Sequence, residues 1–409
     1  MKNLLILGAG TAGTMMANKM AAALPKQEWT VRIVDRDDVH HYQPGYIFVP
    51  FRLSEPRDLV RSRAELLGEG CELVLGTVDT VDPGAQQVTL EDGRRLPYDV
   101  LVVATGTRVR PDLTPGLTGS LWRDRIFDFY TLEGAEALAD RLDAFEAGRF
   151  VVDIVDMPIK CPVAPLELTF LADAAFRERG LRDDIEIVYV TPLDAAFTKP
   201  RAAAAFGSML EDRQIRSVTS FAAKAVDEER QVLVSYDGRE EPFDLLVTVP
   251  LHGGDEAIAR SGLGDEMGFV PTDKHTLQSK AHPNIFVIGD ATDLPTSKAG
   301  SVAHFAGEVL FENLQRFIAG RPLEPSFDGH ANCFIETGHG KAMLIDFNYD
   351  TEPLPGRFPL PGLGPFHLLE ESEVNHWGKL AFRWLYWNVL VQGGELPLAH
   401  RMLMAGKRG

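Results

Sequence analysis

Apolar residues open the chain in a continuous run, Leu4-Leu5-Ile6-Leu7, which breaks at a glycine-rich turn and gives way to helical spacing over Thr14 to Leu24. A second apolar run, Thr30 to Val34, ends on Asp35. Strand, turn, helix and strand in that order predict a βαβ unit. Further strands are predicted at Glu72 to Leu75, Gln87 to Leu90 and Val100 to Ala104, the last leading into Thr105-Gly106-Thr107. A second αβ segment runs from about Leu132 to Pro250. It holds strands at Phe150 to Val155 and Ile185 to Val190, and a hairpin pair at Val232 to Tyr236 and Leu245 to Val249. The buried-strand pattern returns at Ile285-Phe286-Val287-Ile288, followed by Gly289-Asp290 and a helix from about Ser301 to Ala319.

This order predicts an α/β protein with two Rossmann-like domains of the dinucleotide-binding type. The first is discontinuous, 1–113 and 262–321, with its last strand supplied after the second, 114–261. Pro, Gly and aromatic residues dominate from Pro322 onward, which marks a smaller C-terminal unit, 322–409.

The turn Gly8-x-Gly10-x-x-Gly13 follows a strand and opens a helix, so its amides face a pyrophosphate, and Asp35 stands where a carboxylate accepts hydrogen bonds from the adenosine ribose. A second copy is expected near residue 155 and is missing. The strand there runs into Asp156-Met157-Pro158-Ile159-Lys160-Cys161-Pro162, which holds no glycine and two prolines flanking a thiol. A glycine-free turn cannot bring its amides close to a pyrophosphate. One dinucleotide is therefore expected, with a cysteine where a related enzyme would hold NADH. Val100 to Gly106, ending Ala104-Thr105-Gly106, and Ile285 to Asp290, ending Gly289-Asp290, resemble the ATG and GD motifs of two-dinucleotide-domain flavoproteins. That resemblance implies FAD, with Asp290 on its ribityl chain.

Fifty-nine acids against forty-one bases give a net charge of -18, which argues against nucleic acid as a partner. Three cysteines are too few for a disulfide-stapled scaffold, so cysteine chemistry is expected to be local. No secretory leader and no stretch of roughly 20 apolar residues is seen. The expected location is the cytoplasmic side of the cell membrane, as a peripheral protein.

Four segments carry a more specific resemblance: His41-Tyr42-Gln43-Pro44-Gly45-Tyr46, Lys160-Cys161-Pro162-Val163-Ala164-Pro165-Leu166-Glu167, Pro295-Thr296-Ser297-Lys298-Ala299-Gly300 and Asn332-Cys333-Phe334-Ile335-Glu336-Thr337-Gly338. They are similar to the motifs of sulfide:quinone oxidoreductases, and they spread over nearly the whole chain. The resemblance implies that Cys161 and Cys333 form a redox pair beside the flavin, which sulfide attacks to leave a persulfide. It implies that Cys333 is the sulfur nearer the flavin, that Lys298 stands by the flavin pyrimidine edge, and that Pro44 borders the cofactor. Glu167 matches an acid near the cysteines; it reads either as a proton shuttle or as a first-turn carboxylate favoured by the helix dipole. Cys71 matches no motif and reads as a structural thiol. A third cysteine common in the family is absent from Leu113 to Tyr130, and no cysteine stands near Tyr42 to hold flavin covalently. Non-covalent FAD is expected, and no metal site.

Near the end, His376 to Val391 reads as an amphipathic helix with Trp377, Leu380, Ala381, Trp384, Leu385 and Asn388 on one face and Lys379 and Arg383 on another. Five bases (Lys379, Arg383, Arg401, Lys407, Arg408) against Glu395 make this tail attractive to anionic lipid. Either a bilayer surface or docking against the protein body or a sister subunit would cover the tryptophans. Phe334, Phe347 and Tyr349 are candidates for a quinone pocket. The expected function is oxidation of sulfide to zero-valent sulfur with electrons passed to membrane quinone. The alternatives are a type II NADH:quinone dehydrogenase, a sulfide dehydrogenase with a cytochrome partner, and a flavin protein that senses persulfide without turnover. The oligomeric state is left open.

Overall fold

A computed structural model describes residues 1–359, 364–396 and 398–408. Its first sheet has five parallel strands in the order Ile285–Val287, Val100–Val103, Lys2–Leu7, Trp29–Asp35 and Cys71–Leu75. The central strands are apolar at nearly every position because both faces are covered, one by the helices Thr11–Ala23 and Gly300–Ile318 and the other by the antiparallel sheet Val78–Asp82, Gln87–Leu90 and Arg95–Pro97. Lys2–Leu7 lies between Val100–Val103 and Trp29–Asp35, so its C-terminal end opens at the point where the strand order reverses. That crevice is where α/β sheets bind ligands. The helix Thr11–Ala23 leaves it, buried along most of its length, including Thr14, Asn18 and Lys19. Its small residues allow close packing against the helix Gly300–Ile318.

The second sheet is also parallel, in the order Ile126–Phe127, Leu245–Val249, Gly148–Ile154, Ile185–Val190 and Arg216–Val218. Here one expectation fails. Leu245–Val249 does not form a hairpin with Val232–Ser235, which pairs instead with Ala223–Asp227 and Glu240–Pro242. All five residues of Leu245–Val249 are buried, the signature of a central parallel strand rather than of a half-solvated hairpin arm. An antiparallel ribbon, Arg108–Arg110 with Leu251–Gly253, joins the connections between the two sheets.

The C-terminal region is a four-stranded sheet in the order Ala331–Gly338, Lys341–Phe347, Phe366–Leu368 and Gly356–Phe358. Its first hairpin turns through His339 and Gly340, both at positive φ, as a tight two-residue turn requires. The hairpin lays Ala331–Gly338 on the helix Ala164–Glu178. A last helix, Glu373–Leu385, is capped by the Ser372 hydroxyl and ends in a π-helical turn, Tyr386–Leu390. No helix among the described residues is long and apolar enough to cross a membrane.

Candidate active site

Three glycines shape the nucleotide turn, each for a different reason. Gly8 has φ +94°, and a Cβ there would stand 2.5 Å from the Ala104 carbonyl oxygen. At Gly13 a Cβ would meet the Gly8 carbonyl oxygen at 1.8 Å. Gly10 differs: its φ is -77° and a Cβ would meet nothing within 4 Å. Neither strain nor packing demands glycine at that position, so the free space is room for a ligand to approach the backbone. The helix behind it carries no side-chain cap, which leaves its first amides unpaired within the helix. Asp35 accepts from the Ala9 amide (2.7 Å) and the Arg36 amide (2.8 Å), and Arg63 pairs with it at 3.1 Å. The buried Thr105 hydroxyl has no partner among the described residues. Gly106 and Gly289 both have φ +70°. Burial raises the Asp290 carboxyl, against the pull of Lys298 and Lys160. Unpaired amides, an orphan hydroxyl and a recessed carboxylate fit a dinucleotide with a polyol chain.

Gly10→Ala separates these roles. It is expected to lose FAD while the flavin-free protein melts at the same temperature as flavin-free wild type, whereas Gly13→Ala is expected to lower the melting temperature of the flavin-free protein as well; thermal melts of deflavinated protein and flavin content check both.

The loop after Gly148–Ile154 is held by its cysteine. Cys161 takes φ +46°, unusual for a residue with a side chain, and its amide donates to the Lys298 carbonyl at 2.6 Å. Its carbonyl accepts from the Ala164 amide (2.9 Å) and the Tyr130 hydroxyl (3.2 Å). Backbone strain of this kind persists only where the surroundings over-determine it, and it concentrates at functional sites. Lys160 donates to the Gln43 side chain at 2.8 Å, which brings the segment with Pro44 against the thiol loop. Lys298 points its ammonium at the Asp290 and Thr292 carbonyls, 2.9 and 2.7 Å away.

Cys161 and Cys333 are both free thiols, and both lie in the field of one buried ion pair. Glu167, in the first turn of Ala164–Glu178, accepts from the Glu336 amide at 2.8 Å and from the Lys379 ammonium. Lys379 also donates to the Phe334 carbonyl at 3.0 Å, and Glu336 is paired with His376 at 3.0 Å. Burial pushes both thiols up, Cys333 to about 12; Glu167 raises them further, and Lys379 opposes it. Glu167 itself is raised by burial, against Lys379. For Lys379 burial works toward deprotonation, but Glu167 and Glu336 outweigh it and hold the ammonium.

Residues 2–152 match the family described as pyridine nucleotide-disulphide oxidoreductase. The mitochondrial sulfide:quinone oxidoreductase of Mus musculus is 27% identical over 397 residues, covering 95% of this chain and 86% of that protein. The corresponding protein of Schizosaccharomyces pombe is 28% identical, covering 96% and 90%. The X-ray structure of the sulfide:quinone oxidoreductase of Aquifex aeolicus superposes with a TM-score of 0.80 at 18% identity, covering 96% of this chain and 92% of that one. The chain is a homologue of the sulfide:quinone oxidoreductases. FAD is the cofactor of this flavoprotein fold, and the nucleotide turn described above has the features to hold it.

The three aromatic residues expected around a quinone do not converge. Phe334 pairs with Leu344 and Phe347 with Ala331, which puts the two rings on opposite faces of the hairpin. Phe334 packs edge-on to Phe366, 5.1 Å between centroids, beneath Gly378 of the last helix. Phe347 is buried under Lys199, and Tyr349 packs on Gly329 and bonds the Lys274 carbonyl at 3.1 Å. Lys379 is the larger correction. Its side chain is only 11% exposed, so it belongs to the thiol site and not to a lipid-facing surface. Lys407, equally counted as a lipid contact, is buried against Asp346 at 2.6 Å. A signal for Lys379 does exist in the sequence: Gly378 costs helix stability unless a neighbour must approach, and Asn375, Gly378, Lys379, Phe382 and Tyr386 share one helical face.

Proposed function

We propose that this protein oxidises sulfide at Cys161 and Cys333 and passes the electrons, through FAD, to a quinone supplied by a bilayer. What supports this reading is the buried Glu167–Lys379 pair: its bonds to the Glu336 amide and the Phe334 carbonyl tie the helix that follows the Cys161 loop to the strand that carries Cys333. Bound FAD supplies the two-electron acceptor. The chain's own residues handle charge and protons. Lys379 stabilises a thiolate, the form that exchanges with sulfur. Glu167, its affinity for a proton increased by burial, accepts the proton that a thiol or a sulfide gives up. Glu336 and His376 continue the polar path toward the last helix. Phe334 stays as the quinone-side aromatic, since it lies between the thiol strand and that helix.

That helix turns its apolar face outward. Trp377 is 65% exposed and Trp384 63%, with Val374 and Leu380 beside them. Indole-rich amphipathic helices lie in the bilayer interface, so we assign a peripheral membrane position, where a quinone is at hand.

The test is steady-state reduction of a short-chain quinone by sulfide, with NADH as the alternative donor. Sulfide is expected to support turnover and NADH to give none; the reverse result would move the reading to NADH oxidation. The double change Trp377→Ser and Trp384→Ser is expected to abolish flotation with phosphatidylcholine and phosphatidylglycerol vesicles while sparing turnover with the soluble quinone.

A further inference from the structure

Beyond the exposed helix, the described chain turns back along the body. The segment from Tyr386 to Glu395 runs along the nucleotide helix Thr11–Ala23 and bonds to it at successive turns. The Tyr386 hydroxyl lies 2.7 Å from the Thr11 hydroxyl and 2.7 Å from His40 Nε2. His40 Nδ1 faces the Ala9 carbonyl at 3.1 Å. A carbonyl only accepts, so Nδ1 carries the proton and Nε2 accepts from Tyr386, whose oxygen then accepts from Thr11. Burial pushes His40 down to about 4 and keeps the ring neutral, which fixes this order of donors. Further along, Asn18 donates to the Val391 carbonyl at 2.6 Å. Gly393, at φ +80°, lies so close that a Cβ would stand 3.1 Å from the Lys19 amide, and Glu395 reaches Lys19 at 3.6 Å.

Two features of this contact matter. Ala9 and Thr11 are the chain neighbours of Gly10, the glycine whose backbone is left open to a ligand, and both are tied to Tyr386. Trp384, the exposed indole, precedes Tyr386 by two residues on continuous helical backbone.

We propose that Tyr386–Glu395 is a strap that couples FAD binding at the Gly8–Gly13 turn to seating of the exposed helix on a lipid surface. Tyr386 is a positioning residue: it acts on the turn through Thr11 and His40. Linkage makes the effect reciprocal, so FAD tightens vesicle binding by the same factor by which vesicles tighten FAD binding. A factor of about ten lies within the usual range of such couplings. The proposal rests on the membrane reading above.

The experiment measures the FAD dissociation constant of deflavinated protein, by flavin fluorescence, with and without vesicles of phosphatidylcholine and phosphatidylglycerol. Wild type is expected to bind FAD about tenfold more tightly with vesicles. Tyr386→Phe is expected to bind more weakly and to ignore vesicles; Thr11→Val is expected to follow it, and Thr11→Ser to restore the response. Hydrogen exchange over 386–395, without lipid, reads the strap alone: FAD is expected to protect these amides in wild type and not in Tyr386→Phe. An FAD affinity blind to vesicles in wild type that does bind them, or exchange blind to FAD, would overturn the coupling. Holoprotein that fails to bind vesicles would count against the membrane reading, and exchange would still decide whether the strap exists.

Discussion

Cys333→Ser is expected to lower the rate of sulfide-dependent flavin bleaching by about 1000-fold or more while FAD stays bound and dithionite still reduces it. Serine keeps the shape of the strand position but offers no sulfur for exchange with sulfide. Cys161→Ser is expected to do the same, since the two thiols share the Glu167–Lys379 field. Cys71→Ser is the matched control. That thiol sits on the edge strand of the first sheet, burial pushes it up to about 12, and nothing ties it to the site. Anaerobic stopped-flow of the three variants reads the difference. Equal losses in all three would place the chemistry elsewhere.

Lys379→Met is expected to cost about 3–5 kcal/mol of stability, the usual consequence of leaving one partner of a buried pair uncompensated. The pH dependence gives the sign. Burial raises the Glu167 carboxyl above its ordinary 4.5, so the unfolded chain releases that proton at lower pH than the folded one. Stability from this group is therefore greatest in acid and falls as pH rises from about 4.5 to the native value. Without Lys379 the native value climbs further and the falling window widens. Urea denaturation across pH is expected to show that steeper fall, and Glu167→Gln added to Lys379→Met is expected to recover most of the loss. A single variant as stable as wild type at neutral pH would show that the pair is not buried as described.

The features legible in the sequence were those set by local spacing. The nucleotide turn, the strand-end cysteine loop and the Gly289-Asp290 turn each rest on particular residues within a few positions, and Gly8, Cys161 and Gly289 all stand at positive φ there. Which surface a helix turns inward is not local. The two faces of 373–385 could be read, but that the Lys379 face closes on Glu167 depends on where the 331–347 hairpin places Glu336. Leu245–Val249, four apolar residues and a threonine, suits a hairpin arm and a central parallel strand equally, and only its neighbours decide. The division of Phe334 from Phe347 was within reach of strand parity once the turn at His339-Gly340 fixed the register.

The central claim is that sulfide delivers electrons to FAD through the two thiols. Its most direct measurement is an anaerobic titration of the purified holoprotein with sulfide, following the visible flavin band, with a short-chain quinone added at the end. Bleaching by sulfide and full recovery on quinone addition is the predicted result. A flavin that stays oxidised in sulfide but bleaches with NADH would contradict the account and leave Cys161 and Cys333 as structural thiols.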